Sequence, residues 1–259
     1  VQKPLNHWGE PSGGKELNSR RASLQWCEDL LKSDRMSCLM SEKIVIQVIV
    51  SKPFMENTLV VSLAGRKDCI VLDPGLEPAK ILRHLDQAGL EPVLFLLTHG
   101  HSDHIGGNAA LKKRWPNVPL VIGEGDAALL TDPILNLSGL AGFPIISPPA
   151  DQLVHDQEEF TAAGLTFRVR EIPGHSPGHV VYIIQNESPP IVLGGDVLFD
   201  GSIGRTDFPG GSLPLLLSGI REKLFCLPDE TIVYPGHGGT TTIGKERRTN
   251  PYCGGRADE

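Results

Sequence analysis

The chain has 259 residues, 40% of them apolar and 21% charged, enough for one substantial domain or two small ones. Its formal charge of −7 argues against a protein whose main task is gripping nucleic acid, which calls for a basic surface. No apolar run approaches the roughly 18–20 residues of a membrane span, and residues 1–40 lack the apolar stretch of a secretory signal.

The opening stretch differs from the rest of the chain. Residues 1–15 hold Pro, Gly, Asn and Ser without periodicity, and 23–31 reads as one short amphipathic helix. We expect residues 1–40 to be a poorly ordered N-terminal extension, with Met40 a natural translation start, ahead of a folded domain over 41–259. From there β-branched runs predict strands over 43–50, 59–63 and 69–72, then a turn at Asp73-Pro74-Gly75. Residues 77–88 predict an amphipathic helix closed by Gly89. The wholly apolar run 93–97 predicts a strand covered on both faces. A helix over 105–115, a strand over 119–122 and a short helix over 125–130 come next. The proline- and glycine-rich stretch 132–150 is expected to be a functional or mobile loop. In the second half, strands are expected over 165–172, 180–184, 191–193 and 231–234, and helices over 213–224 and 243–248. Strands followed by helices in each half suggest two sheets packed face to face with helices outside. The five cysteines are scattered, odd in number and form no CxxC pair. A disulfide scaffold is therefore not expected, and a reducing cytoplasm is the expected setting.

The chemistry concentrates in Thr98-His99-Gly100-His101-Ser102-Asp103-His104, directly after the apolar run 93–97. On a helix, residues two apart point to roughly opposite sides, so His99 and His101 could not share an ion there; in an extended segment they point the same way. Imidazole and carboxylate are ligands that zinc, iron and manganese accept. Three later segments also stand where a strand meets a loop. They are Pro173-Gly174-His175-Ser176-Pro177-Gly178-His179, Gly194-Gly195-Asp196 and Pro235-Gly236-His237-Gly238. Their glycines allow close backbone approach to a site.

The order HxHxDH, then His, then Asp, then His resembles the metallo-β-lactamase superfamily over residues 43–252. The resemblance implies an αββα sandwich, with both α and β layers, and a site for two divalent ions, zinc expected first and iron or manganese also accepted. It implies that His99, His101 and His175 bind one ion, that Asp103, His104 and His237 bind the other, and that Asp196 bridges them. Asp103 and Asp196 then serve as the catalytic carboxylates, His179 supports its loop, and Asp73 orients a ligand imidazole through its other nitrogen. An aspartate at position 196 points away from the β-lactamases proper, which carry Cys or Ser at that place. The run from Gly201 to Gly211 and the Gly236-His237-Gly238-Gly239 ending are similar to hydroxyacylglutathione hydrolase (glyoxalase II) and its small single-domain relatives. The expected activity is thus hydrolysis of a small-molecule thioester, glutathione-linked in that branch. A persulfide dioxygenase with a single iron and a lactonase-type hydrolase are the alternatives. Neither nucleic acid nor membrane is an expected partner. Arg205 is read either as a clamp for a substrate carboxylate or as the ion-pair partner of Asp207. Tyr182 either donates to substrate or belongs to the core. Lys245-Glu246-Arg247-Arg248 reads as the solvated face of a short helix rather than an RNA contact.

Overall fold

The computed structural model describes residues 43–255, so the extension and the helix expected within 1–40 lie outside the described residues. The first sheet begins with an antiparallel meander, β1 (Ile44–Ser51), β2 (Glu56–Leu63) and β3 (Asp68–Leu72). It continues in parallel through β4 (Glu91–Leu96), β5 (Leu120–Gly123) and β6 (Gln152–Val154). The second sheet has the order β14-β13-β10-β9-β8-β7, built from β7 (Glu159–Ala162), β8 (Leu165–Glu171), β9 (Val180–Ile184), β10 (Ile191–Gly195), β13 (Ile232–Pro235) and β14 (Thr241–Thr242). Two short strands, β11 (Leu198–Phe199) and β12 (Ser202–Ile203), form a ribbon between β10 and β13.

Side-chain alternation explains the layering. In β2, Leu59 and Val61 point one way, into a core shared with Leu72 and Leu96 of the first sheet and Phe167, Val180 and Leu193 of the second. Val60 points the other way, joining Val71 and Phe95 under the helices α1 (Pro78–Ala88), α2 (Ser102–Ile105) and α3 (Asn108–Arg114). The two helical anchors Ile81 and Leu85 of α1 are spaced four apart and fully buried, each such burial stabilising by about 1.5–3 kcal/mol. Pro78 starts α1 and Gly89, at φ 64°, stops it. Outside the second sheet lie α4 (Leu213–Gly219), continued by a wider turn over Ile220–Leu224, and α5 (Ile243–Thr249). Leu216, Ile220 and Leu224 are all buried. The architecture is the αββα sandwich that the strand and helix order led us to expect.

Three local expectations are corrected. The helix expected over 105–115 begins earlier, at Ser102, and breaks at Gly106-Gly107 before resuming at Asn108. Val93 is 41% exposed, because the β3–β4 register skips it between Pro92 and Leu94 and turns it out of the sheet. The two- to four-residue strands β6, β7, β11, β12 and β14 carry too little pattern to be read from the sequence. Among the described residues no helix is long and apolar enough to cross a membrane.

Candidate metal centre

Strands β4, β8, β10 and β13 all end at one edge of the sandwich, and β9 starts there. Each delivers one part of the site. The loop after β4 brings His99, His101, Asp103 and His104. His175 follows β8, His179 precedes β9, Asp196 follows β10, and His237 follows β13. Inward-turned donor atoms of His99, His101 and His175 lie within 4.8 Å of one another, as do those of Asp103, His104 and His237. Asp196 stands between the groups, with Oδ2 3.4 Å from His175 Nε2 and 3.5 Å from His237 Nε2, and Oδ1 3.5 Å from His104 Nε2. Asp103 Oδ2 is 3.4 Å from His237 Nε2 and 3.8 Å from His104 Nε2. The structure therefore brings together all seven residues expected as ligands.

The outer nitrogens show how the rings are aimed. His104 Nδ1 donates to Asp73 Oδ2 at 3.1 Å, His175 Nδ1 to the Arg205 carbonyl at 2.8 Å, and His237 Nδ1 to the Phe54 carbonyl at 3.0 Å. The Thr98 hydroxyl donates to Asp73 Oδ2 at 2.6 Å and accepts from His99 Nδ1 at 3.0 Å. In four rings a proton thus sits on Nδ1, leaving Nε2 to face inward. His101 is reversed, its Nδ1 2.9 Å from His175 Nε2. The Nε2 of His99 is fully buried without a hydrogen-bond partner. A buried lone pair of this kind is costly unless something electropositive meets it. Five inward imidazole nitrogens with two carboxylates make a donor set that fits divalent cations.

Electrostatics divide the site. Burial, then the neighbouring histidines, pushes His99 well below the ordinary imidazole range; burial and His175 push His101 down to about 3. Both stay neutral and free to donate lone pairs. On the other side burial works against charge on His237, but its hydrogen bonds with Asp103 and Asp196 outweigh that and raise it to about 10. Burial opposes a charged His104 too, and Asp196 and Asp103 overcome it to hold its pKa well above the usual value. The carboxylates demand positive charge at this place, and a metal cation would displace the protons that otherwise supply it.

The supporting residues Asp73 and His179 stand where expected. Asp73, fully buried, accepts from the Thr98 amide as well as from its hydroxyl and His104. His179 Nε2 accepts the Asp196 backbone N–H at 3.0 Å. Gly195, at φ 47°, and Gly236 could carry no side chain: a Cβ at the first would meet Thr98 and His179, and at the second the Asp196 carboxylate and the His104 ring.

For Tyr182 and Arg205, each read two ways from the sequence, the geometry favours the structural alternative. Tyr182 is fully buried and donates to the Leu97 carbonyl at 2.9 Å, so it belongs to the core. Arg205 stands at the rim in a bidentate pair with Asp207, at 3.0 and 2.8 Å, and stacks on the Phe208 ring, so its charge is already engaged. The basic run near the end is also occupied: Lys245 pairs with Asp200, while Arg247 and Arg248 pair with Asp229.

Sequence reasoning missed two residues. Asp126 accepts from the Gly100 amide at 3.0 Å, the Ser176 hydroxyl at 2.6 Å and the Gly178 amide at 2.6 Å, clamping the His99–His101 loop to the His175 loop. The side chain of Asn57 donates to the carbonyls of Pro235 and Gly238, strapping the His237 loop to β2. The only signal for either was a polar residue in or beside an apolar strand.

Above the seven donors opens a cleft of about 570 Å³, with walls from Phe54, Leu137, Leu140, Ala141, Phe199, Ile203 and Phe208. Comparison with known proteins agrees with this geometry. A family model described as the metallo-beta-lactamase superfamily matches residues 51–237. The chain is 39% identical to the probable metallo-hydrolase YqgX of Bacillus subtilis, over 74% of this chain and 90% of that one. It is 33% identical to the hydroxyacylglutathione hydrolase GloC of Haemophilus influenzae, over 82% and 99%. Among solved structures, BLEG-1, described as a B3 metallo-beta-lactamase, is 39% identical with a TM-score of 0.77, over 81% of this chain and 99% of that one. The di-iron-bound form of TTHA1623 is 36% identical with a TM-score of 0.68, over 80% and 99%. With a family model spanning most of the folded region and the His/Asp site in place, the chain belongs to the metallo-beta-lactamase superfamily of metal-dependent hydrolases.

Proposed function

We propose that this protein hydrolyses small-molecule thioesters at a pair of divalent cations, zinc first among them. His99, His101 and His175 would hold one ion and Asp103, His104 and His237 the other, with Asp196 between. Cations bound there supply a Lewis acid for the acyl carbonyl and bring the pKa of water toward neutrality. The observation that carries the reading is the convergence of these donors on the floor of an open cleft, where a substrate can reach them. Hydrolysis forms a C–O bond from water to the acyl carbon, breaks the C–S bond and passes a proton to the departing sulfur. Asp103 and Asp196 are the only carboxylates among the described residues lining the cleft. Burial opposes their ionisation, but His104, then His237, holds Asp103 low, and the same partners with His175 hold Asp196 well below the usual carboxylate range. Both are therefore ionised and can accept hydrogen bonds from the attacking water and position it. A thiol of pKa about 8.5 leaves without a dedicated general acid.

The relation to GloC supports a thioester, and the relation to BLEG-1 makes a β-lactam the competing acyl substrate. The test is a hydrolysis panel on protein of measured metal content: S-lactoylglutathione, simple acyl thioesters, lactones and a chromogenic β-lactam. Thioester turnover that follows metal content supports the reading. Turnover confined to lactones or β-lactams would reassign the substrate. One iron per chain with oxygen uptake on glutathione persulfide would make it a dioxygenase instead.

A further inference from the structure

Resting on the thioester reading, we propose that the substrate is recognised through an apolar acyl chain and not through a charged thiol carrier such as glutathione. Recognition of glutathione, with its two carboxylates, calls for fixed cations near the reacting centre. Among the described residues lining the cleft, Arg205 is the only lysine or arginine, and its guanidinium is paired with Asp207 and stacked on the face of Phe208. What the cleft offers instead is mainly apolar surface around the donors. Phe208 packs edge-on against His101, with ring centroids 5.4 Å apart, and against His175 at 6.1 Å. Phe199 does the same to His237 at 6.3 Å. Further out, Phe54 is 47% exposed on the β1–β2 turn and Leu140 is 71% exposed on the 131–150 loop, with Leu137 beside it.

Large apolar side chains left this open, rimming a polar floor, mark a surface that something covers. A volume of about 570 Å³ lies in the range that encloses most of a drug-sized ligand. An extended acyl chain leaving a carbonyl at the floor would run outward along Phe54, Leu137 and Leu140 and exclude water from all three.

Two comparisons on the metal-loaded protein test this. The first holds the thiol fixed as uncharged N-acetylcysteamine and lengthens the acyl group from acetyl to octanoyl. Each methylene buried is expected to raise kcat/KM about two- to fourfold. The second holds the acyl group fixed as octanoyl and compares N-acetylcysteamine with glutathione, the two expected to agree within about threefold. The variant L140D changes an exposed loop residue and should lower kcat/KM about tenfold for octanoyl and only about twofold for acetyl thioester. Binding gives a readout free of turnover: S-octyl-N-acetylcysteamine, a thioether that cannot be hydrolysed, should bind with a negative heat-capacity change and more tightly than its S-methyl counterpart. A flat chain-length series overturns the inference, as does a glutathione advantage above about tenfold that R205Q removes. In both of those cases the thioester reading survives. If no thioester is turned over, that reading falls and takes the inference with it.

Discussion

On the floor of the cleft His99, His101, His104 and His175 are at most 4% exposed, and every ring whose outer nitrogen is Nδ1 has that nitrogen tied to an oxygen. At the mouth, Leu140 is 71% exposed and Phe54 47%. The floor is costly to build, since buried imidazoles and carboxylates must all be partnered, and it is correspondingly rigid. The mouth is joined to the floor where the Phe54 carbonyl holds His237 and Phe208 packs on His101, but its outer side chains, such as Leu140, can vary at little cost. The difference separates what the site can do from what it does it to: chemistry resides in buried hydrogen bonds, choice of substrate in exposed apolar contacts. If so, substitutions on the floor act on metal content and turnover together, and their effects shrink with distance from the donors.

The largest effect is expected at Asp196, the carboxylate within 3.5 Å of His104, His175 and His237. Asp196→Ala should lose bound metal and reduce turnover by about a thousandfold or more, beyond the 10- to 100-fold typical of losing a partner one bond further out. Metal analysis beside kinetics checks it, with circular dichroism to establish that the sandwich is retained. Full metal content with full activity would remove Asp196 from the centre.

Asp73 tests the next layer. As a carboxylate it accepts at once from Thr98 and from His104 Nδ1. Asp73→Asn replaces one acceptor oxygen with a donor NH2 group, so His104 meets a donor and shifts its proton to Nε2, the nitrogen that should face the metal. Metal affinity and kcat/KM are each expected to fall about 10- to 100-fold. Competition with a chelating dye measures the first. An unchanged affinity would mean that the tautomer of His104 is fixed by something else.

A smaller effect is expected from pH. The ordinary value for His237 is 6.5; burial would lower it, but Asp103 and Asp196 raise it to about 10 in the folded protein. With the folded value above the unfolded one, its proton contributes stability in full below pH about 6.5. That contribution is lost as pH rises through about 10. Metal-free protein should therefore lose stability across this window. A fixed excess of metal, which replaces the proton, should stabilise more as pH rises. Thermal unfolding midpoints of loaded and metal-free protein from pH 6 to 10 give the comparison, and a constant gap between the two would count against a proton and a cation competing for one place.

Legibility in the sequence follows the same division. The loop from His99 to His104 could be read directly because one turn of chain carries four donors after one apolar strand. His175, Asp196 and His237 are scattered; a glycine-bearing loop after a β-branched run made each a candidate, and the resemblance to the metallo-β-lactamase superfamily assigned them as ligands. Strands of five or more residues announced themselves by β-branched or apolar runs, whereas β11 and β14, two residues each, depend on long-range pairing that no local pattern records. Asp126 and Asn57 were invisible because each works by hydrogen bonds to backbone groups brought near only by folding, and a carboxylate or amide satisfying main-chain atoms has no spacing rule. Arg205 and Tyr182 each kept two readings, substrate contact or structural partner, for a related reason. Polarity near a site can be read from the sequence, but which way the side chain faces, and whether a partner has already taken it, cannot.

Tyr182 supplies the last and smallest test, at a residue adjacent to the centre in sequence space but outside it in chemistry. Its hydroxyl donates to the Leu97 carbonyl at the point where β4 gives way to Thr98 and His99. Tyr182→Phe keeps the ring that packs in the core and removes only that donor, leaving a buried carbonyl short of one bond. The expected cost is about 0.5–1.5 kcal/mol of stability, read by denaturant unfolding. The backbone of Thr98 stays pinned through its own amide and hydroxyl on Asp73, so His99 should not move and kcat/KM should change by less than about twofold. A tenfold rise in KM with stability unchanged would mean that Tyr182 reaches the substrate after all, and the line drawn between a chemical floor and a selective mouth would have to be redrawn through the core.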